Sequence, residues 1–179
     1  MIAFRGFTLR AEPRPADVTT LEQGQVFVNR QGKETEVGMI AATDDGLGAG
    51  ERLVVILGST RRDVGAVYPI AFRAAEYEGR TVYPVPSPRL ELGRGKYGLA
   101  EAAESKARSR VLVDPSNLPW IRLAISGTSG PGFLDLRGGS IGLPREPYDC
   151  YGDWRMVWRP EGAEEDVILL DEGMIRPQP

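Results

Sequence analysis

The clearest regularity along the chain is an alternation of hydrophobic and polar positions with a period of two, which is typical of strands with one buried face. In the first half, two such segments flank a polar turn at residues 30–33 and predict a hairpin. Because proline has no backbone N–H to donate, Pro69 and Pro84 indicate that each lies in an edge strand or at the end of a strand. Strands are predicted over residues 1–10, 25–29, 34–42, 52–58, 65–72, 79–85, 120–126, 132–138, 154–159 and 166–177.

Two segments depart from this pattern. Residues 97–110 are rich in Ala, Glu, Lys and Arg, which lose little rotamer freedom in a helix, so they predict a helical connector. Residues 11–20 contain two prolines and no periodicity, which is typical of an extended arm. We therefore predict a mainly β protein made of an arm, a small barrel-like or two-layer β domain, a connector and a β-sandwich-like domain, over residues 1–20, 21–95, 96–110 and 111–179.

Composition narrows the possible partners. The 22 glycines and 14 prolines are dispersed, as expected for turns between many short strands. The net charge is −3 and no long basic run occurs, which argues against nucleic acid as a partner.

No apolar stretch reaches the roughly 20 residues of a membrane span, so we expect a soluble protein. Cys150 is the sole cysteine, which excludes an intrachain disulfide and favours a half-buried structural thiol.

The chain contains no histidine, and this bears most directly on chemistry. A Ser-His-Asp triad, a Cys-His pair and a His-ligated metal site are all excluded. The glycine-rich segment 46–50 precedes a strand rather than a helix, so it predicts a hairpin loop and not a phosphate loop. Asp44, Asp45 and Asp63 lack the spacing of a calcium loop and are interpreted as turn residues. We therefore expect neither an enzyme nor a bound metal or cofactor.

Trp154 and Trp158, with Met156 between them, allow two interpretations. Alternate aromatic residues on one strand can form a platform on which a sugar stacks. The same spacing is what a core-facing strand requires, and Val167 and Leu169 of the predicted partner strand offer apolar contacts. The core interpretation is the stronger one.

The C-terminal segment resembles the closing hairpin of immunoglobulin-like modules in virion proteins of tailed phages. Those modules have an alternating strand led by an aromatic residue, a Pro/Gly turn, a Leu-Leu-x-x-Gly sequence and a final proline. The corresponding residues here are Trp154, Pro160, Gly162, Leu169, Leu170, Gly173 and Pro177. This resemblance covers about a seventh of the chain.

Residues 21–59 resemble the small barrel of phage head decoration proteins. Proteins of that family have a strand with Gly-Gln-Val, a strand with Val-Gly-Ile and an apolar return strand. The corresponding residues here are Gly24, Val26, Val37, Gly38 and Val54. The resemblance implies a capsid decoration or cement protein that bridges capsomers, with the major capsid protein or other virion proteins as partners. It also implies a homo-oligomer, for which we expect a trimer, located in the virion after synthesis in the host cytoplasm.

The arm suits such a role because an extended segment can add a strand to a neighbour's sheet. Phe4, Phe7 and Leu9 are its candidate assembly contacts. A phage neck or tail-attachment protein is the nearest alternative. A carbohydrate-binding β-sandwich with exposed tryptophans is the alternative from another class, and a carboxylate-based glycosidase ranks third.

Overall fold

The structure is a computed structural model of the 179-residue chain. It describes residues 3–4, 7–8, 14–31, 34–43, 51–60, 69–93, 96–97, 110–125 and 131–172. Within these segments the chain is mainly β, as the alternating pattern predicted.

The strands of the first half are β1 (Ala3–Phe4), β2 (Phe7–Thr8), β3 (Ala16–Asp17), β4 (Val26–Gln31), β5 (Glu34–Thr43), β6 (Arg52–Ser59), β7 (Ile70–Arg73), β8 (Thr81–Val85), β9 (Arg89–Leu92) and β10 (Lys96–Tyr97). Those of the second half are β11 (Val111–Val113), β12 (Pro119–Ile125), β13 (Pro131–Asp135), β14 (Ser140–Gly142), β15 (Asp149–Tyr151), β16 (Trp154–Trp158) and β17 (Val167–Asp171). Two short 3-10 helices, η1 (Val18–Thr20) and η2 (Ala74–Tyr77), follow β3 and β7.

Six strands close into a barrel in the order β5, β6, β7, β12, β13, β14 and back to β5. Strands β5 to β7 form one antiparallel meander, and strands β12 to β14 form a second. The two meanders join through parallel pairs, β7 with β12 and β14 with β5. Closure removes the free edges that an open six-stranded sheet would have.

The two meanders are related by an approximate two-fold repeat. At one parallel junction Ala42 of β5 lies opposite Ser140, and at the other Ala124 of β12 lies opposite Ile70. Ala42 and Ala124 therefore occupy equivalent places. In each meander this residue also pairs with the first residue of the next strand, which is Arg52 for Ala42 and Pro131 for Ala124.

The barrel interior is filled by side chains, as expected for so few strands. A separate three-stranded sheet, in the order β17, β16, β9, packs its apolar face on the same core. The largest cluster combines residues of both sheets and comprises Val26, Val28, Val37, Met39, Ala41, Leu53, Val55, Leu57, Ala71, Val85, Val111, Ile121, Leu123, Leu134, Leu136, Ile141, Trp154, Met156, Trp158, Val167, Leu169 and Leu170.

The predicted hairpins are confirmed by the pairing of β4 with β5 and of β16 with β17. Strand β8 lies between β4 and β3 although it contains Pro84. Strand β3 pairs only with Thr81 and Val82, so Pro84 has a partner on the β4 side alone. Pro84 has no backbone N–H to donate, and it lies at a local edge of the sheet, where no neighbouring strand needs that donor.

The predicted units 21–95 and 111–179 share one sheet and one core. The two parallel pairs of the barrel and the pairing of β9 with β16 all join strands from the two units. Of the predicted connector, Lys96 and Tyr97 form β10 instead of helix, and residues 98–109 lie outside the described part of the chain. The 46–50 loop and Asp44, Asp45 and Asp63 lie outside it as well.

The predicted arm is divided by the fold. Residues 1–10 contain the short hairpin of β1 and β2 rather than one strand. Further along, β3 pairs with β8, and Val18 of η1 is buried. Asp17 caps η1, since its carboxylate accepts a hydrogen bond from the backbone N–H of Thr19 at 2.8 Å. Residues 16–20 therefore belong to the folded body.

Candidate functional site

The predicted assembly contacts lie at the N-terminal hairpin. Phe4 and Phe7 occupy opposite positions in the pairing of β1 with β2, and Leu9 lies outside the described residues. Strand β1 also lies next to β17 of the three-stranded sheet. Their role in assembly stays a prediction.

The three tryptophans are all buried. Trp120, Trp154 and Trp158 have relative exposures of 8%, 2% and 5%. The core interpretation of Trp154 and Trp158 is confirmed. The carbohydrate-binding alternative requires an exposed platform of tryptophan rings on which a sugar can stack. These three tryptophans do not form one.

In the described segments, no group of three or more Cys, Asp or Glu side chains is placed to hold a metal ion. No helix in the same segments is both long enough and apolar enough to cross a membrane. The thiol of Cys150 is fully buried rather than half-buried.

The exposed face of the three-stranded sheet carries a ladder of alternating charges. Arg159 Nε donates to Asp166 Oδ1 at 2.8 Å, and Arg89 pairs with the other oxygen of Asp166. Arg155 Nε donates to Glu91 Oε2 at 2.6 Å. The hydrogen bond from Arg159 holds the pKa of Asp166 below its ordinary value, and Asp166 in turn raises the pKa of Arg159. Asp166 therefore joins β9 to the turn between β16 and β17.

A shallow pocket of about 250 Å³ lies at one end of this ladder. Glu91 and Asp153 both line it, beside Arg155 and Trp154. The carboxylate of Glu91 is bonded to Arg155 as part of the charge ladder. The pocket gives no support to the glycosidase alternative.

Asp114 organises the outer side of the second meander. Its Oδ1 accepts from the backbone N–H groups of Ser116 and Leu118 at 2.9 and 3.0 Å, and its Oδ2 accepts from Trp120 Nε1 at 3.1 Å. Burial raises the pKa of Asp114, but its hydrogen bonds lower the pKa more, so the net pKa lies below its ordinary value.

The segment of residues 143–148 crosses the surface beside this carboxylate. Leu143 at its start is 77% exposed, the most exposed large hydrophobic side chain of the described residues. Tyr148 at its end is half-buried and packs on a small apolar cluster outside the barrel. That cluster comprises Leu112, Trp120 and Cys150, with Leu118, Phe133 and Tyr148 against it.

The two halves of the barrel differ in how their outer faces are covered. In the first meander Ile40 pairs with Val54, and both are buried under residues of η1 and η2. In the equivalent place of the second meander Arg122 pairs with Phe133. Arg122 is only half-buried, and Phe133 lies among the residues that pack against the small Trp120 cluster. The second outer face is therefore the more open of the two.

No protein-family model matches the chain, and neither a curated protein nor a solved structure matches it. The alternating pattern of the sequence singles out neither Asp114 nor the segment 143–148. The available signal for Asp114 was the Asp-Pro-Ser-Asn sequence before β12, because Asp at the start of a turn bonds the backbone ahead of it. For the segment, the signal was a pair of prolines around two opposite charges.

Proposed function

We propose that this chain is a structural protein of tailed-phage virions, and specifically a capsid decoration or cement protein. The observation that carries the proposal is the arrangement of sheet edges. Among the described strands, six pair on one side only, namely β1, β2, β3, β9, β10 and β17. Such edges expose backbone donors and acceptors that can receive a strand from another protein.

The interior of the molecule supports a role based on surfaces. Among the described residues, apolar side chains pack together in the barrel core, as is typical of a barrel with few strands. The buried carboxylate of Asp114 is satisfied by hydrogen bonds within the chain, as is that of Asp135, which caps the turn before β14. Polar groups used in this way stabilise a fold rather than perform chemistry.

The partners in this proposal are the major capsid protein and neighbouring copies of the chain. The N-terminal hairpin, which lies next to the edge strand β17, is the element best placed to bridge them. A phage neck or tail-attachment protein would use the same edges, so the two roles differ in location and copy number. The burial of the tryptophans removes the exposed tryptophan platform on which the carbohydrate-binding alternative rested.

The proposal is tested on phage particles from the source organism, banded by density. Antibody labelling followed by electron microscopy locates the chain, and quantitative mass spectrometry gives its copy number relative to the major capsid protein. We expect labelling over the head and a copy number near that of the capsid protein. Labelling at the neck or tail with a much lower copy number would favour the alternative. Absence of the chain from all particles would refute a virion role.

The contribution of the arm is tested with a truncated chain. Because β3 and η1 belong to the folded body, the truncation removes residues 1–12 and leaves residues 16–20 in place. We expect the truncated chain to keep its thermal transition and to bind particles more weakly than the full chain. Equal binding of the two would show that the hairpin of β1 and β2 takes no part in attachment.

A further inference from the structure

The peptide bond between Asp114 and Pro115 brings a nucleophile and a leaving group together in one pair of residues. It is the only Asp-Pro bond in the sequence. The aspartate supplies a carboxyl group next to its own carbonyl carbon, and the proline nitrogen belongs to a tertiary amide. Because both groups are joined covalently, a reaction between them benefits from a high effective concentration of the nucleophile.

The reaction open to this bond needs only water and acid. An oxygen of the Asp114 carboxyl group attacks the carbonyl carbon of the same residue and closes a five-membered cyclic anhydride. The bond from that carbon to the nitrogen of Pro115 breaks, its electron pair goes to the nitrogen, and the nitrogen takes a proton from the solvent. Water then opens the anhydride and leaves Asp114 as a new C-terminus with two carboxyl groups. The sum of these steps is the hydrolysis of one peptide bond.

The fold occupies the carboxyl group of Asp114 with hydrogen bonds. Its Oδ1 accepts from the backbone N–H groups of Ser116 and Leu118 at 2.9 and 3.0 Å, and its Oδ2 accepts from Nε1 of Trp120 at 3.1 Å. The carbonyl oxygen of Asp114 accepts separately from the backbone N–H of Asn117 at 2.9 Å. Asp114 is only 5% exposed, so water has little access to it. Attack on the carbonyl carbon would require the carboxyl group to give up these donors.

Acid removes this restraint. Within the described part of the chain, the charged residues of the strands packed beside β11 are Arg122 of β12 and Asp149 of β15. Neither contributes to the pKa of Asp114, which burial raises and hydrogen bonds lower more. The carboxylate therefore keeps its hydrogen bonds until the pH falls below the ordinary range of an aspartate. Protonation then favours the unfolded chain, in which the carboxyl group is free to turn onto its own carbonyl carbon.

We propose that the Asp114–Pro115 bond is a self-cleavage site that the native fold keeps closed and that unfolding in acid opens. The same carboxyl group anchors the turn between β11 and β12 in the folded protein and cuts the chain in the unfolded one. Cleavage separates residues 1–114 from residues 115–179 and so divides β11 from β12, which pair directly. The two fragments must then find each other before the barrel can close, so unfolding in acid becomes irreversible. This inference goes beyond the virion role and does not depend on it.

The test compares the folded and the unfolded chain at one acidic pH. That pH is the lowest at which the far-ultraviolet circular dichroism of the protein keeps its neutral-pH form, and urea unfolds the second sample there. Intact-mass spectrometry over several days follows the fragments 1–114 and 115–179. We expect the unfolded chain to be cleaved at least about tenfold faster than the folded chain, because hydrogen bonds withhold the carboxyl group in the folded chain.

Two variants and one internal bond identify the group that cuts the chain. Asp114→Glu adds a methylene, so that a six-membered ring must close, and Pro115→Ala replaces the leaving nitrogen with that of a secondary amide. In urea, where the stability of the variants has no influence, each should be cleaved at this position at least about tenfold more slowly than the wild type. The exposed Glu146–Pro147 bond is the matched control within the same molecule and should stay intact in both samples.

The inference is overturned if the folded chain is cleaved at this bond as fast as the unfolded chain, or if the unfolded chain stays intact there. Cleavage of Asp114→Glu at the wild-type rate would also overturn it, because the reaction would then not need the five-membered ring that Asp114 closes. Particle binding is measured separately, so these results leave the virion role untouched.

Discussion

The indole Nε1 of Trp120 donates a hydrogen bond to Oδ2 of Asp114 at 3.1 Å, and both residues are buried. Through its other oxygen the same carboxylate holds the turn between β11 and β12. One side chain thus fixes a barrel strand and the turn before it. Its removal should affect both.

Asp114→Asn should lower the free energy of unfolding by about 1–3 kcal/mol. An amide can present its oxygen to Ser116 and Leu118, but its NH2 group then faces the N–H of Trp120, and two donors cannot bond to each other. Urea denaturation followed by tryptophan fluorescence measures the change. Glu161→Gln, an exposed position in a turn, is the control and should be close to neutral. A change at Asp114 no larger than the control would contradict the anchoring role.

The contribution of Asp114 should also depend on pH. Its pKa in the folded protein lies below the ordinary value of 3.8, so the unfolded chain takes up the proton more readily. The stabilisation is therefore complete above the unfolded pKa and is lost as the pH falls through the folded pKa. The stability difference between wild type and Asp114→Asn should be constant above about pH 5 and shrink below about pH 4. Urea midpoints at several pH values measure it; a difference that stays constant throughout would argue against a lowered pKa.

Gly38 is required where β5 passes the ring of Phe27. The two residues pair directly across β4 and β5, and a Cβ at position 38 would overlap the buried ring. Gly38→Ala should therefore destabilise the protein by about 1–3 kcal/mol through overpacking. Gly142→Ala is the matched control, since its Cβ would lie 3.9 Å from the Trp120 ring, an ordinary contact. Thermal unfolding compares them, and equal transitions for both variants would show that the ring can move aside.

The charge ladder should contribute to stability mainly at low salt. Asp166→Asn removes the partner of Arg159 and Arg89, so its melting temperature should fall below that of wild type in dilute buffer. The difference should nearly vanish at about 1 M salt, where charges are screened beyond about 3 Å. Glu165→Gln, an exposed acid in the same turn, serves as the control. A deficit that persists at high salt would indicate a loss of hydrogen bonding or packing instead.

Much of the local structure was predictable because it depends on residues close together along the chain. The hairpin of β4 and β5 follows from alternating side chains on either side of a short polar turn. The alternation of Trp154, Met156 and Trp158 likewise predicts a core-facing strand, and all three are buried. Each of these predictions needs only the two-residue period of a pleated strand.

The candidate site was not predictable in the same way. Leu112, Trp120 and Cys150 form one cluster only because β11, β12 and β15 lie side by side in the sheet. The two-fold repeat also left no visible trace in the sequence. Its equivalent positions carry different side chains, such as Ile40 in one meander and Arg122 in the other.

The sequence by itself determined that this protein is built of strands, where most of them run, and that histidine chemistry is absent. The tertiary structure alone decided that two meanders close into one barrel, that β9 pairs with β16, and that Leu143 is exposed while the three tryptophans are buried. The physical reason is that side-chain alternation fixes which face of a strand is buried but not which strand lies beside it. Partner choice depends on summed packing between residues far apart in the chain, and here that packing joins both halves in a single core.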